Sequence, residues 1–313
     1  MMQAGTQLPL AGVRVLDVSH IIAGPFCVSI LADLGAEVIK IEPPIRGELG
    51  RTMGVPIKGD SGSTTASFAV LARSRQGMSL DLRSAEGLQV FRELVRVSDV
   101  VVENFTPGTM ERLGLSYSAL KEINPSLIYA AISGYGQLEP YVGPYKDWAA
   151  NNATVQAMGG LMELSRVPDG PPVMVGATVG DTIPGLWAAL SIIAAIHHRG
   201  STGQGQFLDV AMYDCMAAMC YQSIASYHVT DSLPNRSSEG QGVIFTGTLP
   251  CNDGHIAVSM WGNRSEQWTR MWREIGRADL VGDTEADPVR PGGRGTFADI
   301  RQALEAWLTD LSK

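Results

Sequence analysis

The chain has 313 residues, 45% of them hydrophobic and 18% charged, enough to bury a sizeable core in one large or two unequal domains. Its formal net charge of -8 excludes the extended basic face that nucleic-acid phosphates require. It leaves room for a phosphorylated small molecule held by a few arginines and helix N-termini.

Taken in chain order, VRVLDVS (Val13 to Ser19) predicts a buried strand, and Pro25 predicts the first turn of a helix reaching about Leu34. EVIKIE is the next strand, stopped by Pro43-Pro44, and MSLDL near Leu80 is a third. A helix from about Ala85 to Val97, the strand DVVVENF, short helices near Arg112 and Leu120, and the strand LIYAAISGYG complete the first half. This alternation predicts a parallel sheet with helices on its faces. The irregular stretch Gln137 to Trp148 is a surface loop of the kind that carries function. A helix over Asn152 to Glu163, an apolar helix from Asp181, the strand FLDVAM and a helix from Asp214 to about Tyr227 follow. DSLPNRSSEGQG (231–242) is polar and turn-rich, a linker. Beyond it stand two strands around Asn252-Asp253-Gly254, a helix from Glu266 to Ile275, a Gly/Pro-rich loop (287–295) and a helix from Phe297 to Leu311. The expected organisation is a Rossmann-like α/β domain over 1–230, the linker at 231–242, and a smaller α+β domain over 243–313.

Other features set negative expectations. MMQAGTQLPLAG lacks the basic start and apolar core of a secretory signal. The most apolar run, Pro184 to Ile196, is shorter than the roughly 20 residues that span a bilayer. Cys27, Cys215, Cys220 and Cys251 show no metal or redox spacing. A cytoplasmic protein without metal or membrane contact is expected. The loop SHIIAGP has one glycine where a dinucleotide fingerprint needs three, so NAD binding is not expected.

Asp181 stands at the mouth of the apolar helix, where free N–H groups and the helix dipole would keep a carboxylate ionised and aimed outward. For an isolated aspartate this is the signature of a helix cap. The surrounding string MVGATVGDTIPGLWAALSIIAAIHHRGSTGQGQFLDVAMYD (Met174 to Asp214) points further. With LAGVRVLDVSHIIAGPFCVSILADLGAEVIKIEPP, MSLDLRSAEG, VVENFTPGTMERLGL and WAANNATVQAMGGLMEL, it resembles the class III CoA-transferase family. That family includes formyl-CoA transferase, carnitine CoA-transferase, the bile-acid-inducible CoA-transferases and the α-methylacyl-CoA racemases.

The resemblance implies an enzyme that moves CoA from an acyl-CoA donor to a small carboxylic acid, with no tightly bound cofactor. Asp181 would be the catalytic nucleophile, passing through an aspartyl anhydride and an aspartyl-CoA thioester. His20, Ile21, Ile22 and Ala23 would line the CoA site, with Leu80 and Arg83 in another contacting segment. Asn104, Phe105 and Thr106 would line the pantetheine channel, and Arg112 would reach the phosphates. Asn151 would be a further contact, at the position where racemases carry a proton-shuttling histidine. Formyl-CoA transferase has a glutamine in place of Ile22, and the family's arginine after the second strand is Pro43 here. Gly240-Gln241-Gly242 is the nearest counterpart of the family's glycine-rich flap. The resemblance also implies an interlocked homodimer, completed by a C-terminal return to the large domain. The chain stops at Lys313, before that return, so the small domain is expected to be incomplete. Two alternatives to the transferase remain open, a CoA-ester isomerase or racemase and an inactive CoA-binding remnant.

Overall fold

The computed structural model describes residues 7–59, 62–166, 170–231, 244–261, 265–278 and 297–313. Two compact units are present, Met1–Arg166 with Pro171–Val229, and Val167–Gly170 with Thr230–Lys313.

The first unit begins with a β-α-β motif, β1 (Arg14–Asp17), α1 (Ala23–Asp33) and β2 (Glu37–Glu42). A 3-10 turn (Leu49–Arg51), a hairpin of β3 (Pro56–Gly59) and β4 (Gly62–Thr65), and α2 (Ala66–Leu71) lead to β5 (Gln76–Ser79). Then come α3 (Ala85–Arg96), β6 (Val100–Glu103), α4 (Thr109–Arg112), α5 (Tyr117–Ile123) and β7 (Ile128–Ser133). The unit closes with α6 (Asn152–Met158), α7 (Leu161–Ser165), α8 (Val179–Thr202), β8 (Phe207–Ala211), α9 (Met212–Met219) and α10 (Tyr221–Thr230). Side-chain oxygens start several helices: Ser84 accepts from Gly87 N–H and Thr65 from Phe68 N–H, satisfying amides that the helix itself cannot.

Six strands form one parallel sheet in the order β5-β2-β1-β6-β7-β8. The order reverses between β1 and β6, and in doubly wound sheets the crevice at that switch point takes the ligand. Strands such as VVVE in β6 are buried at every position because helices cover both faces. One face packs Val15, Val102, Ile128 and Ile132 against α1 and α8. The other packs Leu16, Val101 and Tyr129 against Phe91, Leu115 and Leu120.

Several expected elements were displaced or divided. The helix from Asn152 breaks into α6 and α7 at Gly159-Gly160, where Gly160 has φ +89°. The helix expected from Asp214 is α9 and α10, broken at Cys220. The third strand ends at Ser79 rather than running through Leu80, and the β3–β4 hairpin carried no sequence signal. The apolar helix is longer than its most apolar run. With 24 residues, α8 passes a length-and-composition test for crossing a membrane. Yet Gly180, Pro184, Gly185, Ala188, Ala189, Ile192 and Ala195 are buried along one side, and the glycines and alanines among them let it pack tightly on α1 as a core helix does.

The second unit has an antiparallel hairpin, β9 (Ile244–Cys251) and β10 (Gly254–Trp261), with α11 (Ser265–Glu274) and α12 (Phe297–Leu308). Leu249, Trp268, Trp272, Leu304 and Leu308 form its core. The expected linker apart from Asp231, the Gly240-Gln241-Gly242 segment and the loop 287–295 lie outside the described residues.

Candidate active site

The loop leaving β1 and the loop leaving β6 meet at the switch point. His20 N–H donates to Asn104 Oδ1 at 2.8 Å, and Asn104 Nδ2 donates to His20 C=O at 2.9 Å. The His20 ring lies 5.2 Å from that of Phe105. Both ends of the Asn104 amide are thus engaged with the backbone of His20, which ties the loop after β1 to the end of β6. Burial holds the His20 imidazole below its ordinary pKa, which makes it neutral at physiological pH.

Helix α1 begins in this loop with no capping side chain and no acidic residue in its first turn. Among the described residues, the N–H groups of Ile22, Ala23 and Gly24 have no hydrogen-bond partner. A run of unpaired amides at a helix start favours negative charge.

The start of α8 is the opposite case. Val179 N–H bonds to Ala177 C=O, Asp181 and Thr182 N–H to Thr178 C=O, and Gly180 N–H to Asn152 Oδ1 at 2.9 Å. Asp181 is therefore not the cap; Thr178 holds that position and Asp181 sits three residues inside. Among the described residues its carboxylate accepts no hydrogen bond, and burial pushes its pKa up to about 6. This corrects the expected picture of a carboxylate aimed outward with its charge stabilised by helix amides. The group is half-buried, and desolvation outweighs the dipole. Among the described residues the unpaired amides stand instead at the start of α1.

Asp181 and Gly185 are one turn apart on the same side of α8. A Cβ on Gly185 would stand 2.6 Å from Ala23 C=O and 3.3 Å from Cys27 N. The glycine lets α8 approach the first turn of α1, one helical turn along α8 from Asp181.

Asn151 caps α6 through a capping box. Its Oδ1 accepts Thr154 N–H at 3.1 Å, and Thr154 Oγ1 accepts Asn151 N–H at 2.9 Å. Its neighbour Asn152 reaches the Asp181 helix, accepting Gly180 N–H and, at 2.8 Å, Gln156 Nε2. Gln156, fully buried, also receives Val175 N–H at 3.0 Å.

The remaining expected residues stand apart. Arg112 is exposed and donates to Thr109 Oγ1. Arg83 is exposed, with its backbone N–H held by Asp81. Thr106 is exposed, and Leu80 and Phe105 pack on the Leu16–Tyr129 face of the sheet. Among the described contacts none joins Leu80, Arg83 or Arg112 to Asp181.

Sequence reasoning missed a buried charge cluster beneath the loop. Asp17 pairs with Arg75 Nη1 at 2.7 Å and with Lys40 Nζ at 3.4 Å. Lys40 also donates to Ser19 C=O and Arg75 to Pro25 C=O, so two cations hold both ends of the loop. Glu48, likewise buried, accepts Ile21 N–H at 2.9 Å. The signal was available: Asp17 and Lys40 interrupt strands that are otherwise apolar, and buried charges call for ionic or hydrogen-bonding partners.

A doubly wound α/β sheet with unpaired amides at its switch point and a desolvated carboxylate at the start of α8 has the parts that group transfer by a carboxylate nucleophile requires. The model of CoA-transferase family III matches residues 10–312. The chain belongs to that family and is a CoA-transferase. It is 35% identical over 308 residues to the succinyl-CoA–D-citramalate CoA-transferase of Chloroflexus aurantiacus, covering 97% of this chain and 74% of that one. It is 36% identical over 304 residues to the succinyl-CoA:mesaconate CoA-transferase of Haloarcula hispanica, covering 96% and 75%. The structure resembles a CaiB/BaiF family protein from Brucella suis with TM-score 0.85 and 31% identity, over 98% of this chain and 80% of that one.

Proposed function

We propose that this enzyme transfers CoA from succinyl-CoA to a small dicarboxylic acid through covalent intermediates on Asp181. The observation that carries the reading is the Asp181 carboxylate itself: half-buried, free of hydrogen bonds among the described residues, and one helical turn from the contact with Ala23. With a pKa of about 6 it is predominantly ionised at pH 7, and its lone pairs are undamped by donors.

In the first step an Asp181 oxygen attacks the thioester carbonyl carbon. The C–S bond breaks, CoA leaves as thiolate, and a mixed anhydride forms. The thiolate then attacks the aspartyl carbonyl, releasing succinate and leaving an aspartyl-CoA thioester. The acceptor carboxylate attacks that thioester, expelling thiolate and forming a second anhydride. Thiolate attack on the acceptor's carbonyl releases the new acyl-CoA and restores Asp181. The amides of Ile22, Ala23 and Gly24 are the donors available to the oxyanions that develop at each attack. His20 to Ala23 carry the thioester end of CoA, Phe105 and Thr106 flank the pantetheine arm, and Leu80, Arg83 and Arg112 serve its nucleotide end. The substrates for which these relatives are named, D-citramalate, mesaconate and L-malate, support a succinyl-CoA donor and four- or five-carbon acceptors. Asn151, engaged as a helix cap and without a titrating proton, argues against two-base racemisation.

The reading includes a homodimer. Leu186, Trp187 and Leu190 on α8 and Tyr221, Ile224 and Tyr227 on α10 are large and exposed, and apolar surface of this kind marks association sites. Light scattering after size exclusion tests it, a mass of one chain being the contrary result. The described cysteines are free thiols, which suits a reducing cytoplasm.

The decisive experiment is intact-mass spectrometry after mixing with succinyl-CoA and trapping with hydroxylamine or borohydride. A label on Asp181 that is lost in Asp181→Ala supports the mechanism. CoA exchange that continues in Asp181→Ala refutes it.

A further inference from the structure

The loop after β1 is held in a conformation its sequence disfavours. Ile21 has φ +66°, a left-handed value in which a β-branched side chain crowds its own backbone. Such a residue persists only when its surroundings over-determine it. Asn104 fixes His20 from both sides, but that leaves the rotation at Ile21 itself unrestrained. Lys40 and Arg75 hold the loop at its two ends, and Ile21 itself is held by Glu48, whose Oε2 accepts its N–H at 2.9 Å.

Glu48 comes from the turn after β2, and everything around it is arranged to fix its carboxylate. The same Oε2 accepts Gly50 N–H at 2.9 Å, and Glu48 N–H donates to Glu42 Oε2 at 3.0 Å. Glu42 is in turn gripped by Arg51 through Nε at 2.6 Å and Nη2 at 2.7 Å. Glu48 is 6% exposed, and among the described residues no cation lies within ion-pair distance of it. Capping a short 3-10 turn does not call for a buried charge, since a serine or asparagine would serve. What a glutamate adds is reach, enough to touch Ile21 on the neighbouring segment.

We infer that Glu48 is a positioning residue for the CoA-binding loop. Its carboxylate pins Ile21 in the left-handed turn, and that turn delivers the Ile22, Ala23 and Gly24 amides without protein partners. The inference rests on the reading that the His20–Ala23 loop receives acyl-CoA.

Length and charge separate positioning from simple electrostatics. Glu48→Gln keeps the reach and an acceptor oxygen, whereas Glu48→Asp keeps the charge and falls one methylene short. Isothermal titration with CoA measures the outcome. Glu48→Asp is expected to weaken binding about tenfold, within the range that strain at one residue supplies, and Glu48→Gln less than about threefold. Glycine enters the left-handed region freely, so the restraint loses its purpose in Ile21→Gly. In that background Glu48→Asp is expected to change the affinity less than about threefold.

The reverse order, with Gln worse than Asp, would overturn positioning, as would equal losses in the two backgrounds or no loss in either. Absence of CoA binding by the unaltered enzyme would instead overturn the loop's assignment as the CoA site.

Discussion

Asn104 and the backbone of His20 form a two-way pair, His20 N–H donating to Asn104 Oδ1 at 2.8 Å and Asn104 Nδ2 to His20 C=O at 2.9 Å. This pair joins the ends of β1 and β6 where the strand order reverses. Asn104→Ala strands both His20 groups and is expected to destabilise the protein by about 1–3 kcal/mol. With the loop loosened, KM for acyl-CoA should rise about tenfold while kcat changes less. Steady-state kinetics beside urea unfolding check this; an unchanged KM in a destabilised variant would reduce Asn104 to a structural tie.

Asp181→Asn should abolish turnover and stabilise the fold. Burial raises the folded pKa to about 6 from 3.8, so folding favours the protonated acid. The stabilising effect of that proton is full below pH about 4 and is lost as pH rises through 6. At pH 7 the charged carboxylate is a liability of about 1–2 kcal/mol once partial solvent screening is allowed for. Asparagine removes it, raising Tm by a few degrees at pH 7 and by little at pH 4. Thermal melts at the two pH values test the sign.

The same group sets the acid limb of activity. Because the ionised form is the nucleophile, kcat/KM should climb with pH and level off above a midpoint near 6. A flat profile between pH 5 and 7.5 would detach activity from Asp181.

Gly185→Ala tests the spacing between the candidate nucleophile and the loop. The added methyl would meet Ala23 C=O at 2.6 Å, a backbone atom that yields only if α8 moves. A loss of about 1–3 kcal/mol is expected, with kcat falling further than KM rises. Wild-type kcat in this variant would mean that the α8–α1 approach is not what places Asp181.

Glu103 ends β6 beneath the Asn104 pair, accepts Phe105 N–H at 2.7 Å, and is pushed up to about 8 chiefly by burial. Its folded pKa lies above the ordinary 4.5, so its contribution fades as pH rises through 8. The wild type should lose about 2 kcal/mol more than Glu103→Gln between pH 6 and pH 9. Denaturant unfolding at both pH values measures the difference, and parallel losses would rule it out.

Most of the doubly wound sheet and the family could be read directly from residues. Apolar runs such as VVVE and IYAAIS carry their burial in their own composition, and strand–helix alternation fixes a parallel sheet because right-handed crossovers admit little else. Boundaries fared worse. The breaks at Gly159-Gly160 and Cys220 and the β3–β4 hairpin depend on packing from distant segments, which no local window contains.

Among the candidate residues, the chain's own order determined that Asp181 opens an apolar helix and that a loop with His20 follows the first strand. Tertiary structure alone decided their electrostatics. The helix amides expected to stabilise Asp181 are taken by Ala177, Thr178 and Asn152, whereas those of Ile22, Ala23 and Gly24 are free among the described residues. A sequence lists donors and acceptors, but which of them pair is settled by contacts such as Glu48 to Ile21, 27 residues apart, and Asn104 to His20, 84 apart. Desolvation, which turns Asp181 from a stabilised anion into one with a raised pKa, likewise exists only once other segments have displaced its water.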